Sequence, residues 1–192
     1  MTEIILTIPE IAALAAGGDD PAQRAMDRLE LASTSDEVAQ AGVCSLYARG
    51  LLEGDVDSQD ELQPVQMVLA TVSLLAECES EIRFAVGGGG SGEASRLYVR
   101  GAEGILVTPV GFGCLHVRLV DASPGPVSLI QTAAVAALAD GDHVFLVSAA
   151  NKDGETSLAL RRVDQGYQIA SSSDGAFTSF ENPWDEVAAR IG

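Results

Sequence analysis

The chain has 192 residues, 47% apolar and only 20% charged, with no long biased tract; that balance excludes a disordered chain and supports a sizeable core. Its net charge is −17 and lies mostly in front. Residues 1–80 hold 15 acids and 3 arginines, giving −12, whereas residues 81–192 hold 13 acids and 8 bases, giving −5. Such a surface repels phosphate backbones and anionic lipids, so neither nucleic acid nor membrane is expected as a partner. The three cysteines, Cys44, Cys78 and Cys114, are scattered and in no ligand spacing, which fits a reducing compartment. No basic segment precedes an apolar run at the N-terminus and no stretch approaches a membrane span, so a cytoplasmic location is expected.

Residues 3–7 are a short apolar run, a strand or a lead-in. Thr7 with Glu10 forms a capping box with Pro9 inside the first turn, which predicts a helix to about residue 16, ended by Gly17 and Gly18. Asp19, Asp20 and Pro21 open a second helix with Ala22, Ala25, Met26 and Leu29 as its buried stripe. Thr34 with Glu37 repeats the box, and Ala39, Val43, Leu46, Tyr47 and Gly50 follow at helical spacing. Ser58 with Glu61 predicts a further helix, its stripe being Val65, Val68, Leu69, Val72, Leu75 and Ala76, with Pro64 limiting or kinking the first turn.

Residues 81–120 change period. Ile82, Phe84 and Val86 alternate with Arg83 and Ala85. Leu97 and Val99 alternate with Arg96, Tyr98 and Arg100, and Leu115, Val117 and Leu119 with His116 and Arg118. Period two, broken at glycine and proline, predicts an antiparallel meander with one dry and one wet face. Pro124-Gly125-Pro126 introduces a helix from about residue 127 to 139. A second strand set follows at 144–148, 158–163 and 167–170, with a turn at 151–154 and a tight connection at Gly166; Pro183-Trp184 begins a last short helix. The expected architecture is α+β: an antiparallel sheet of meanders packed on helices, with a helical N-terminal third. It is taken as a single domain over 1–192, helical to about residue 79 and sheet-rich from about 80. The order helix, strands, helix, strands, helix admits a pseudo-two-fold arrangement.

Chemical motifs are weak. Gly87, Gly89 and Gly92 formally satisfy G-x-G-x-x-G, but residues 96–100 read as a strand where a dinucleotide fingerprint needs a helix, and Glu93 stands where a phosphate loop needs lysine. His116 and His143, the two histidines, fall at strand positions without visible partners. Asp55, Asp57 and Asp60 lack the glycine and the final acid of a calcium loop. No catalytic, cofactor-binding or metal-ligating residue is therefore assigned, no cofactor is expected, and no enzymatic activity is expected. Residues 34–52 read as the second half of a winged helix, but Arg49 alone, amid acids, does not make a DNA-reading helix.

The order of motifs points further. L-T-x-x-E-I-x-x-L at residues 6–14 is followed by A-R-G-L-L-E-G at 48–54, a long apolar helix, R-L-Y-V-R-G-A-E-G-I-L-V-T-P at 96–109 and L-H-V-R-L-V at 115–120. Over about residues 5–140 this resembles the EspG family of actinobacterial type VII (ESX) secretion-associated proteins. The resemblance implies a non-enzymatic cytosolic chaperone that binds a helical secretion substrate of the PE–PPE type; no catalytic or contact residues come with it. Two other readings stand beside it: an acidic regulatory or adaptor module whose winged-helix-like front docks a protein rather than DNA, and an enzyme whose site forms only in three dimensions. The sequence leaves the oligomeric state open.

Overall fold

The structure, a computed structural model, describes residues 3–16, 20–32, 34–54, 62–87, 94–139, 143–151, 154–164, 166–171 and 175–191. In chain order the elements are β1 (Glu3–Thr7), α1 (Ile8–Ala16), α2 (Asp20–Arg28), α3 (Asp36–Ala48), β2 (Leu52–Glu53), β3 (Gln63–Pro64) and α4 (Gln66–Glu77). They continue with β4 (Ser80–Gly87), β5 (Ser95–Arg100), β6 (Glu103–Pro109), β7 (Cys114–Asp121), α5 (Pro126–Ala137), β8 (Val144–Asn151), β9 (Gly154–Val163), β10 (Gly166–Ser171), β11 (Thr178–Phe180) and α6 (Trp184–Ile191). This is the α+β class with antiparallel strand pairing that the two periodicities predict. Two compact units are present: residues 1–78 with 105–120, and residues 79–104 with 121–192.

In the first unit β1 runs antiparallel to β7, which is followed in the sheet by β6. The alternation Ile4 and Leu6 in, Ile5 out, follows from the pleat. Helix α1 packs on α3 and α2 on α4. The capping box is reciprocal, as Thr7 and Glu10 predict: the Thr7 N–H donates to Glu10 Oε2 at 2.8 Å, and the Glu10 N–H donates to Thr7 Oγ1 at 3.3 Å. Glu10 is nevertheless fully buried, and its carboxylate takes three further bonds from α3: Ser45 Oγ donates to Oε1 at 2.7 Å, and Arg49 Nη1 donates to Oε1 at 2.6 Å and to Oε2 at 2.7 Å. The other arm of Arg49 donates from Nη2 to the Ile5 carbonyl at 2.7 Å, covering a backbone acceptor of β1. One guanidinium thus ties β1, α1 and the C-terminal end of α3 together.

Helix α3 departs from the expected stripe. Its buried positions are Ala39, Gly42 and Leu46, whereas Tyr47 is 41% exposed. Gly42 is chosen by contact: a Cβ there would lie 1.9 Å from the Pro9 carbonyl oxygen and 2.9 Å from Ala13 Cβ, so only glycine lets α1 come this close. The helix also starts later than the Thr34–Glu37 box predicts. Ser35 is its N-cap residue, with extended backbone, and a hydrogen bond from the Ser35 side chain to Glu37 holds that carboxyl below its usual range. The Ser58–Glu61 box, the acidic turn at Asp55, Asp57 and Asp60, and Gly88–Glu93 of the glycine loop lie outside the described residues. Helix α4 begins only at Gln66, because Gln63 and Pro64 pair as β3 with β2; Pro64 disfavours helical backbone in the residue before it. Leu69 on α4 faces outward instead of joining the stripe, and Thr71 and Leu74 are buried.

In the second unit the strand order is β5-β4-β8-β9-β10-β11, antiparallel at each printed register. β8 and β9 are longer than predicted, Asn151 pairing with Gly154 across the expected turn, and β11 has no counterpart among the predicted strands. The expectation of one wet face fails at β5, where Leu97, Tyr98 and Val99 are all buried. It fails also at Val86, placed on the dry side and 41% exposed, and at β10, where Ile169 and Ala170 are both buried. Ile82, Phe145, Val147, Ala149, Leu158, Leu160 and Ile169 point to one side and form a core with Ile130, Ala134 and Leu138 of the α5 region and Val187 and Ile191 of α6. Phe84 stacks on Phe145 at 5.6 Å between ring centroids, and Tyr167 meets Trp184 edge-on at 5.9 Å. Gly166, at φ 121°, makes the tight connection, where a Cβ would sit 2.5 Å from the Phe180 carbonyl oxygen.

Two outcomes test these assignments. Gly42→Ala should lower stability by about 2 kcal/mol or more in urea titration, the overpacking against Pro9 outweighing the gain in helix propensity of about 1 kcal/mol. Removing the Glu10 carboxylate has a pH signature. Burial raises its pKa, but the Ser45, Thr7 and Arg49 bonds outweigh burial and leave it below the ordinary 4.5. Its contribution is therefore present above about pH 4.5 and lost as pH falls through the depressed folded value. Glu10→Gln should cost about 1–3 kcal/mol at pH 7 and progressively less below pH 4.5; a pH-independent difference would refute the assignment.

Candidate protein-docking face

The second unit's strands turn most of their bulky apolar residues to one side and leave a row rich in alanine and serine, with Leu146 among them, on the other. Pairing brings Ala85 of β4, Leu146 of β8, Ala159 of β9 and Ala170 of β10 into one cross-strand row. The next row holds Arg83, Ser148 and Ser157, and on the other flank Arg161 pairs with Gln168 of β10, which pairs with Ser179 of β11. Because successive side chains alternate sides, placing Phe145, Val147, Leu158, Leu160 and Ile169 in the core commits these rows to the opposite face.

The result is a groove of about 560 Å³ whose floor is alanine and serine and whose higher points are Arg83, Leu146 and Phe177. Leu146 is 47% and Phe177 37% exposed, well above what an aliphatic and an aromatic side chain keep when packed. The walls are held in place. Arg161 lies over the Phe177 ring, its guanidinium carbon 4.1 Å from the centroid, and donates from Nε to Gln168 Oε1 at 2.8 Å; Gln168 Nε2 in turn donates to Ser179 Oγ at 3.2 Å. On the opposite wall Arg83 Nε donates to Glu81 Oε1 at 2.8 Å, and Arg96 Nη1 stands 4.0 Å from the same oxygen. Such a surface offers apolar area with a polar rim, the anatomy of a contact face.

The residues weighed from sequence fall elsewhere. His116 on β7 in the first unit has Nε2 3.4 Å from Glu3 Oε2 at a half-exposed position. His143, just before β8, has Nδ1 buried without a hydrogen-bond partner. Neither lines the groove. Among the described residues no group of three histidine, cysteine or acidic side chains is placed to hold a metal ion. Arg49, the basic residue that a DNA-reading helix would have offered, is turned into the Glu10 cluster, and a β2–β3 ribbon follows α3 where a wing would stand. No described helix is long and apolar enough to cross a membrane. Sequence reasoning missed the groove because its rows form only on pairing. The signal lay in the small residues alternating with large ones along 157–160.

No family model matches the chain, and no curated protein matches it. Among solved structures, it is similar to the type VII secretion system chaperone EspG5 of Mycobacterium tuberculosis, in the structure of that protein in complex with the PE25–PPE41 dimer. The two are 12% identical, the match covers 88% of this chain and 86% of that one, and the TM-score is 0.46.

Proposed function

We propose that the protein is a non-enzymatic, cytosolic chaperone of a secretion system that holds a helical substrate of the PE–PPE type on the open face of β4, β8, β9 and β10. The observation that carries this reading is the row Ala85, Leu146, Ala159 and Ala170, with Phe177 beside it: apolar area with a small-residue floor that admits the bulkier side chains of an incoming helix. The motif resemblance over residues 5–140 supports the substrate class. The acidic charge suits the task, since a complex that shields apolar surface is kept dispersed by net charge far from zero.

The reading predicts that affinity capture from the native host, analysed by mass spectrometry, recovers a helical secreted protein of this class. Leu146→Glu and Phe177→Glu should each weaken capture at least tenfold while leaving the thermal unfolding midpoint within a few degrees, both side chains being exposed. Recovery of nucleic acid at moderate salt, or undiminished capture by both variants, would contradict it.

A further inference from the structure

The chain has 28 acids to 11 bases, and its arginines pair accordingly. Arg49 holds Glu10, Arg83 holds Glu81, Arg100 holds Glu103 and Arg190 holds Glu186. Arg161 of β9 is placed differently. Among the described residues its partners are neutral: Nε donates to Gln168 Oε1 at 2.8 Å, and the guanidinium carbon lies 4.1 Å from the Phe177 centroid. Gln168 is itself aimed by the 3.2 Å bond from its Nε2 to Ser179 Oγ. A relay across β9, β10 and β11 thus orients a guanidinium that stays exposed. Phe177 belongs to the adjoining groove, whose described lining holds no acid. An exposed cation, oriented but matched to no carboxylate among the described residues, therefore stands at the rim of an apolar groove in a chain of net charge −17.

We infer, resting on the docking function proposed above for this face, that Arg161 is its specificity-determining residue and that the docked helix carries an aspartate or glutamate at the border of its apolar side. Nε is committed to Gln168, so the incoming carboxylate takes the two Nη groups end-on while the apolar side of the helix covers Leu146 and Phe177. The register supplies the reach. The row of Arg161 and Gln168 lies two residues from the row of Leu146, Ala159 and Ala170, about 7 Å along the strands. A border side chain of a helix laid on the second row spans that distance. Orientation by Gln168 and Phe177 lowers the rotamer entropy lost when the pair forms, which makes Gln168 a positioning residue. Lysine opposite Arg161 is repelled, and a helix with no acid there covers the guanidinium without a counter-charge. Selection of this kind runs against the long-range field, since a chain at −17 attracts cationic peptides and repels anionic ones. Arg162, next along β9, stands opposite Tyr167 in the register, on the other side of the pleat, and takes no part.

Fluorescence anisotropy on the full chain tests it, with three short alanine-based helical peptides that carry a leucine stripe and differ at one border position: glutamate, glutamine or lysine. At about 0.15 M salt the glutamate peptide should bind about fivefold tighter than the lysine one, the reverse of the order that net charge dictates. Arg161→Gln should erase that preference and Gln168→Leu should reduce it, with the thermal unfolding midpoint of each variant within a few degrees of the wild type. Arg162→Gln, which removes the same charge from the other side of the sheet, should leave the preference intact. Equal binding of the three peptides, or tighter binding of the lysine peptide, with Leu146→Glu still weakening it, would overturn the role of Arg161 and leave the docking face standing. A preference that Arg162→Gln erases equally would overturn it too. Binding that Leu146→Glu does not weaken, or no binding by any of the peptides, would remove the docking face and the role of Arg161 together.

Discussion

The pleat of a β-strand sends neighbouring side chains to opposite sides, and the second unit is arranged around that constraint. Once Phe145, Val147, Leu158, Leu160 and Ile169 are buried under α5 and α6, the residues between them have no choice of side. Those residues are Leu146, which stands up from the sheet, and Ser148, Ser157, Ala159 and Ala170, too small to fill the space around it. The groove is therefore a by-product of pairing register and side-chain size. It needs no strained backbone or unusual pKa, and what it provides is surface.

The first unit solves a different problem. Its acids outnumber its bases by far, yet one carboxylate is fully buried. An isolated buried carboxylate would cost several kcal/mol, and here five hydrogen bonds offset that cost, counting both contacts of Arg49 Nη1; four reach the carboxylate and the fifth secures Arg49 to Ile5. Glu10 thereby does two tasks, closing the capping box of α1 and fixing α3 against β1. Gly42 sets how near α1 comes, and Arg49 holds the far end of α3.

Local signals in the sequence were legible and long-range ones were not. The Thr7–Glu10 box, the stripe Ala22, Ala25, Met26 and Leu29, the start of α6 at Trp184 and most strands of both sets are written in spacings of two to four residues. The structure differs where a residue's role depends on something distant in sequence. Tyr47 keeps helical spacing yet is exposed, and α3 meets α1 at Gly42 instead, where Pro9 leaves no room for a Cβ. Arg49 looked like a lone surface cation, and its partner is 39 residues earlier. Tyr98 sits at a position that alternation marks as wet, and is buried because both sides of β5 are covered. Pro64 marked a helix boundary, though it ends a short strand rather than kinking a helix. The docking face was unreadable for the same reason, since its row is drawn from four strands spanning residues 85–170.

Hydrogen exchange, measured on the chain with and without its captured helical partner, addresses the docking claim directly. The account predicts that added protection concentrates in β8, β9 and β10 and the Phe177 segment, while β1 and β7 exchange as before. Protection confined to the first unit, with the amides around Leu146 and Ala159 unchanged, would contradict it.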